Sequence, residues 1–411
     1  MRTVAEHQAA VSELLSPMLS RLIDEAELVP LDAALHRILS EDLLATIALP
    51  PFNNSQMDGY AVRAAESGAE LRVAAAIAAG SDPAELPPGH AAPIMTGAKL
   101  PPGADAVVQV EVAEPARFLP VGEKVRLPEV LVGQFVRASG SDLAEGACAL
   151  AAGTRLSAAA LGLVAALGIT EVRVQRRVRV ALFSTGDEVR QPGELLEPGK
   201  IYDANSTLLS SALSEVGAEV VVLPAIADRA EAVEQLVQNL PEVDLLISSG
   251  GISQGAFEVV KQAFSTAQGD SQSARVEFHA VAIQPGGPQA LGTVSGASQV
   301  ERLKAAEPSS EIAFLGFPGN PVSSWLSYEM FLRPLLAEPR RRITARLAAA
   351  TSSPVAKQQM RRGVLENGQV RLIGGPSSHL LHSLAEANAL VVLPLGQDHF
   401  AAGQEVEVWL L

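Results

Sequence analysis

Apolar positions recur at helical spacing in residues 3–22, where Val4, Val11, Leu14, Leu15, Met18 and Leu22 predict an amphipathic helix. A second helical stretch is expected at 31–44, after Pro30. From 45 to 147 the texture changes to short apolar runs punctuated by proline and glycine, which predicts a β-rich block. Residues 154–167 again read as helix. Four nearly continuous apolar runs follow at 178–184, 219–226, 244–249 and 311–317, separated by helical patterns at 205–217, 229–239 and 256–266. Strands buried on both faces have this character, so 177–338 is expected to be a doubly wound α/β domain with a parallel sheet. The polar stretch 295–310 reads as a surface hairpin or loop. Short strands and turns return over 343–411, predicting a small C-terminal β-domain. The division is therefore a helical part at 1–44 and 148–176, an inserted β-rich domain at 45–147, the α/β domain at 177–338, and the C-terminal domain at 339–411. No internal repeat is visible.

Composition narrows the function. A chain of 411 residues exceeds what one hydrophobic core organises, and 48 % hydrophobic with 19 % charged residues is globular. The net charge of -15 argues against nucleic-acid binding. No apolar run approaches the roughly 18 residues of a membrane span, and the N-terminus has no signal-peptide pattern, so a soluble, cytoplasmic protein is expected. The one cysteine, Cys148, is expected to be a small buried hydrophobe. Only six of the 31 basic residues are lysine, so an anionic substrate would need positive charge from elsewhere.

Candidate chemistry gathers at strand ends. FSTGDE (183–188), SSGGISQG (248–255) and FPGNPVSS (317–324) are glycine turns expected to open helices, where free N–H groups and hydroxyls cradle phosphate. The hydroxyls are Ser184, Thr185, Ser249, Ser253, Ser323 and Ser324. Asp187, Glu188, Asp203 and Asp228 lie at the same edge and suit Mg²⁺, or act as helix caps. None of the turns has P-loop or complete dinucleotide spacing. In the β-rich block, 53–63 and 93–111 are unusually polar and carry Asp58 and Thr96; turn chemistry accounts for much of that. His379 and His382 form no metal spacing.

PPFNNSQMDGYAVR, IMTGAKLPPGADAVV, VALFSTGDEV, IYDAN, SSGGISQG, FPGNPVSS and SLAEANALVVLPLG stand in the order seen in the MoeA family, which includes the gephyrin E domain. The chain resembles that family over nearly its whole length. The resemblance implies an elongated homodimer of four-part subunits: helical arm, inserted β domain, molybdopterin-binding α/β domain and C-terminal β-barrel. It implies Mg²⁺-assisted insertion of molybdate into adenylylated molybdopterin with release of AMP. By match to the motifs, Asp58, Thr96, Asp187, Glu188, Asp228 and Glu258 would be catalytic, and Asp187, Glu188, Asp203 and Asp228 would hold metal. Ser184, Thr185, Gly186, Ser249, Gly250, Gly251, Ser253, Lys261, Pro318, Gly319, Asn320, Pro321 and Ser323 would bind the cofactor precursor.

The chain also departs from the family pattern. Where the family has G-(E/D)-x-D it has Ala256 and Glu258, and where the family resembles K-V-A-M-K-P-G-K-P it reads AVAIQPGGP (280–288). Ala280, Gln284 and Gly287 thus replace lysines, and each lost charge-assisted bond forfeits about 1.5–3 kcal/mol. A second function therefore stays open beside the transferase. It is a non-catalytic, gephyrin-like dimeric scaffold that binds a peptide tail of a membrane receptor or a tubulin-like division protein.

Overall fold

The structure is a computed structural model that describes residues 1–252, 259–266, 274–295 and 311–411. Most of the polar stretch 295–310 lies outside the described residues. The chain forms two compact units, Met1–Glu25 with Arg176–Leu411, and Ala26–Gln175.

In the first unit a six-stranded sheet comprises β1 (Arg179–Ser184), β2 (Glu219–Val222), β3 (Leu245–Ser249), β4 (Ala274–Ala280), β5 (Pro288–Val294) and β6 (Ile312–Phe317), in the order β2-β1-β3-β6-β5-β4. The four strands expected from their apolar runs are parallel neighbours. Strands β4 and β5 were not anticipated; they form an antiparallel hairpin closing the far edge. Alternate residues of each central strand serve opposite layers. Val180, Leu182, Leu245, Ile247 and Leu315 pack under the helices Val4–Asp24 and Ala204–Glu215, whereas Ala181, Phe183, Leu246 and Phe314 pack under Ala230–Gln238 and Val259–Thr266. Both faces are covered, which makes the sheet doubly wound.

The first helix buries His7, Val11, Leu15, Met18 and Leu22 against this sheet, and Thr3 with Glu6 forms a capping box at its start. Strand Gln358–Glu366 begins a closed ring that runs through Gln369–Leu372, Arg342–Leu347, Glu405–Leu410 and Ala389–Leu393 back to itself. The expected C-terminal β-barrel is thus a five-stranded one. Its interior holds Leu347, Val370, Val391, Leu393 and Val408, while Met360, Leu390 and Trp409 on its outer face join the α/β core.

The second unit centres on a five-stranded sheet in the order Ala106–Gln109, Gly59–Val62, His90–Ile94, Glu70–Val73, Lys124–Arg126. A helix at Ala158–Ala166 lies within the expected 154–167. The helix expected at 31–44 is not formed. Leu31–Ala33 makes a single 3₁₀ turn, His36 takes φ 64°, and Leu39 bridges to Val174. Its apolar spacing serves strand contacts: Glu27–Pro30 pairs with Glu171–Val174, and Leu43–Leu44 pairs with Cys148–Leu150. Cys148 is exposed rather than buried, because this two-stranded ribbon leaves its side chain uncovered.

At the start of β3, Asp244 accepts hydrogen bonds from Arg21 (2.7 Å), Arg176 (2.9 and 3.0 Å) and the Arg179 N–H (2.8 Å). Burial alone would raise its pKa, but Arg176 and the Arg179 N–H outweigh it, and the carboxyl stays below its ordinary value. Replacing Asp244 with Asn leaves Arg21 and Arg176 only the half-exposed Glu25 as a carboxylate partner among the described residues, and should cost about 1.5–3 kcal/mol in urea denaturation. Replacing Glu70, exposed beside Lys124, should leave the midpoint unmoved.

His7 is 1 % exposed, packs edge-on to Phe331 at 4.6 Å, and is held to a pKa of about 4 by burial and then by Arg2 and His279. Its unfolded value lies near 6.5, so the unfolded chain binds the proton first as pH falls. The stability from neutral His7 is present above pH 6.5 and is lost between 6.5 and about 4. Melting curves across that window should show a slope that His7→Phe flattens.

Candidate functional site

The parallel register sets Ser184 beside Ser249 and Ser249 beside Phe317, so β1, β3 and β6 end at one level. Their following loops wall a cavity of about 590 Å³, within the usual range for small-molecule sites. It is lined by Ser184, Thr185, Gly186, Glu188, Asp203, Asp228, Ser249, Gly250, Gly251, Pro318, Gly319, Asn320, Pro321 and Ser323, all anticipated from the motifs. Two glycines are required here by shape. Gly186 takes φ 142°, and a Cβ there would lie 2.7 Å from the Glu188 carboxylate; Gly250 takes φ 101°, and its Cβ would lie 2.8 Å from the Thr185 hydroxyl.

The three loops lead into different elements. FSTGDE does not open a helix: it enters a ribbon in which Val189–Arg190 pairs in parallel with Ile201–Tyr202, and only then does helix Ala204–Glu215 begin. The FPGNP turn leads directly into helix Pro321–Ser327. Helix Val259–Thr266 comes after SSGGISQG, whose Ser253 lies outside the described residues with Ala256 and Glu258.

Asp203 is the N-cap of the helix at Ala204–Glu215. Its carboxylate accepts from the Ser206 N–H (2.9 Å), the Ser206 hydroxyl (2.6 Å) and the Ser184 hydroxyl (3.1 Å), and the residue is 4 % exposed. Those bonds engage both oxygens, so Asp203 serves as a helix cap. Asp187 and Asp228 face one another, each N–H donating to the other's carboxylate at 3.4 and 3.3 Å. Among the described residues no three carboxylates, imidazoles or thiols converge tightly enough to cage a metal ion, so the expected four-carboxylate set is not preassembled. Lys261 does not line the cavity: it is exposed, with its ammonium 6.0 Å from the centre of the Phe278 ring.

Asn205 was not singled out from the sequence, though it ends the IYDAN motif. Its Nδ2 donates to the Ser249 hydroxyl and to the Gly319 carbonyl, both at 2.7 Å, tying two of the loops together. Its Oδ1 is buried without a partner among the described residues. The PGGP turn also borders the cavity through Pro285, Gly286 and Pro288, and Ser378 reaches it from the C-terminal domain.

The lining thus carries three carboxylates and, among the described residues, no lysine, arginine or histidine. At the lysine-replacing positions, Ala280 is exposed and Gln284 accepts from Gln359 Nε2 at 2.7 Å. Positive charge is found elsewhere in this unit. Arg361 and Arg362, 7 % and 1 % exposed, donate to the carbonyls of Gly374 and Gly375, just before Ser378. Neither meets a carboxylate among the described residues; Nε of both and Nη1 of Arg362 are unpartnered, and burial lowers the pKa of each. Arg190 and Lys200 both donate to the Asp187 carbonyl, at 3.0 and 3.1 Å. Strand patterning hides the two buried arginines, since charged residues in QQMRRG read as solvent-facing.

Asp58 and Thr96 belong to the second unit. The Thr96 N–H and hydroxyl donate to one Asp58 oxygen at 2.7 and 2.8 Å, and in that order they hold the exposed carboxyl below its ordinary value.

Three family models match the chain in succession. They are the MoeA N-terminal region (domain I and II) over residues 2–168, a probable molybdopterin binding domain over 181–338, and the MoeA C-terminal region (domain IV) over 344–411. A protein named molybdopterin molybdenumtransferase 2 from Mycobacterium tuberculosis is 40 % identical, covering 100 % of this chain and 99 % of its own. The molybdopterin molybdenumtransferase of Synechococcus elongatus is 34 % identical over 98 % and 99 % of the two chains. The crystal structure of a molybdopterin biosynthesis MoeA protein from Pyrococcus horikoshii superposes with TM-score 0.76 at 30 % identity, covering 95 % of this chain and 98 % of that one. Motif order, architecture and end-to-end similarity agree: the chain belongs to the MoeA family, a transferase family of molybdenum cofactor biosynthesis.

Proposed function

We propose that the protein binds adenylylated molybdopterin in the cavity at the ends of β1, β3 and β6 and inserts molybdate into it, releasing AMP. The observation that carries this reading is the cavity itself, where three glycine turns and their hydroxyls meet beside Glu188 and Asp228 in a MoeA-family chain. Backbone N–H groups and the hydroxyls of Thr185, Ser249 and Ser323 bind phosphoryl oxygens, Ser184 instead bracing Asp203, and Asn205 keeps the SSGG and PGNP turns in register. Mg²⁺ is usually held by one or two carboxylates together with substrate oxygens, and the facing Asp187 and Asp228, with Glu188 alongside, fit that mode. When bound, the ion would neutralise charge on the phosphate. By match to the family motif, Asp58, whose carboxyl Thr96 keeps below its ordinary value, would assist hydrolysis of the adenylate. We also infer a homodimer, which sedimentation at micromolar concentration should reveal.

The scaffold reading draws its support from the cavity wall's lack of cations. Arg361 and Arg362 weigh against it, because buried arginines without carboxylates among the described residues favour an anion nearby.

Pure protein incubated with adenylylated molybdopterin, Mg²⁺ and molybdate should release AMP, and release no greater than in the absence of molybdate would sink the transferase reading. Asp58→Asn should lower the rate by about 10² or more while sparing inorganic phosphate binding. The two lysine positions in the PGGP segment should respond unequally. At Gly287 an added Cβ meets only carbonyl oxygens, at 3.4 and 3.7 Å, so Gly287→Lys should tighten phosphate binding about tenfold. Gln284→Lys removes the acceptor for Gln359 and should gain less. Titration calorimetry of the two variants decides the order.

A further inference from the structure

We propose that Tyr202 is the platform on which a planar nitrogen heterocycle of the substrate stacks; this rests on the substrate reading above. The chain has three tyrosines and two tryptophans, and four of these rings are committed to cores: Tyr60 is 0 %, Tyr328 1 %, Trp325 8 % and Trp409 5 % exposed. Tyr202 is 44 % exposed and borders the cavity. It, Val189 and the 56 % exposed Ile201 each add apolar surface to a site otherwise walled largely by serine, glycine, asparagine, proline and carboxylates. The ring is held in place. Its phenol donates to the Glu194 carbonyl at 2.9 Å, and the ribbon beneath it is fixed by Ile201 N–H to Glu188 O (2.9 Å) and Asp203 N–H to Arg190 O (2.8 Å). An aromatic face kept rigid and uncovered beside a polar pocket offers stacking at little ordering cost. Adenylylated molybdopterin carries two such heterocycles, the adenine and the pterin, and the shared chemistry is a flat, nitrogen-rich ring.

The test is equilibrium binding of AMP, a simple pterin and inorganic phosphate, without molybdate, to the full chain and to Tyr202→Phe and Tyr202→Ala. Loss of the ring should weaken AMP, the pterin or both by at least about fivefold, as base stacking on aromatic side chains does. Tyr202→Phe should bind like the parent, phosphate affinity should hold in both variants, and the arm that falls identifies the stacked ring. The proposal is overturned if Tyr202→Ala binds both heterocycles as tightly as the parent or loses phosphate by the same factor, the mark of a collapsed ribbon. It is also overturned if the parent binds neither ring. Since no turnover is measured, failure here leaves molybdate insertion to be judged by AMP release, and failure of AMP release leaves this result standing.

Discussion

The site depends on a constraint of register. Parallel strands in this sheet are locked so that Ser184, Ser249 and Phe317 stand side by side, and the loops beyond them emerge at one height. A slip of one residue in β3 would reverse which of its side chains face each helical layer and carry Ser249 away from Asn205. The same strand is pinned at its other end by Asp244 and its arginines. One five-residue strand is therefore fixed by ion pairs at its beginning and leads at its finish into a glycine turn that walls the cavity.

Charge is organised in depth rather than on the cavity surface. The wall is acidic, as the net charge of -15 would suggest, yet the C-terminal barrel holds two buried arginines in surroundings that weaken screening. Arg362, two residues beyond Met360, shares the outer side of Gln358–Glu366 that packs on the α/β core, while Arg361 faces the other way. Where the family pattern has a lysine, Gln284 serves instead as a hydrogen-bond acceptor inside a side-chain pair. The cation is absent from that spot, and the segment has found another structural use for it.

Much of this architecture could be read in the sequence because buried parallel strands cannot be polar on either face, and VRVALFS, DLLISS and EIAFLGF are not. The β4–β5 hairpin was hidden because β4 is an edge strand whose exposed residues break the apolar run at Arg275 and Glu277. Residues 31–44 misled for the opposite reason: leucines at helical spacing were arranged for strand bridges around His36. At the site, glycine and serine positions were evident because turn geometry demands them. The role of Asp203 was not, since a cap and a metal ligand look alike until the serines that occupy its oxygens are placed in space. Arg361 and Arg362 could not be recognised, because adjacent residues of a strand point to opposite sides and both are buried only once the barrel is closed and docked on the α/β core.

The chain leaves the α/β unit at Glu25 and re-enters at Arg176, and the side chains of these two residues are bonded at 2.8 Å. On the other side of the junction, Glu27–Pro30 and Glu171–Val174 zip together the two ends of the second unit. Both bodies therefore have their cut ends already side by side. In evolutionary terms the second unit is a cassette: it can be gained, lost or exchanged through two neighbouring peptide bonds, without any strand of the sheet that holds the cavity having to change its place in the chain.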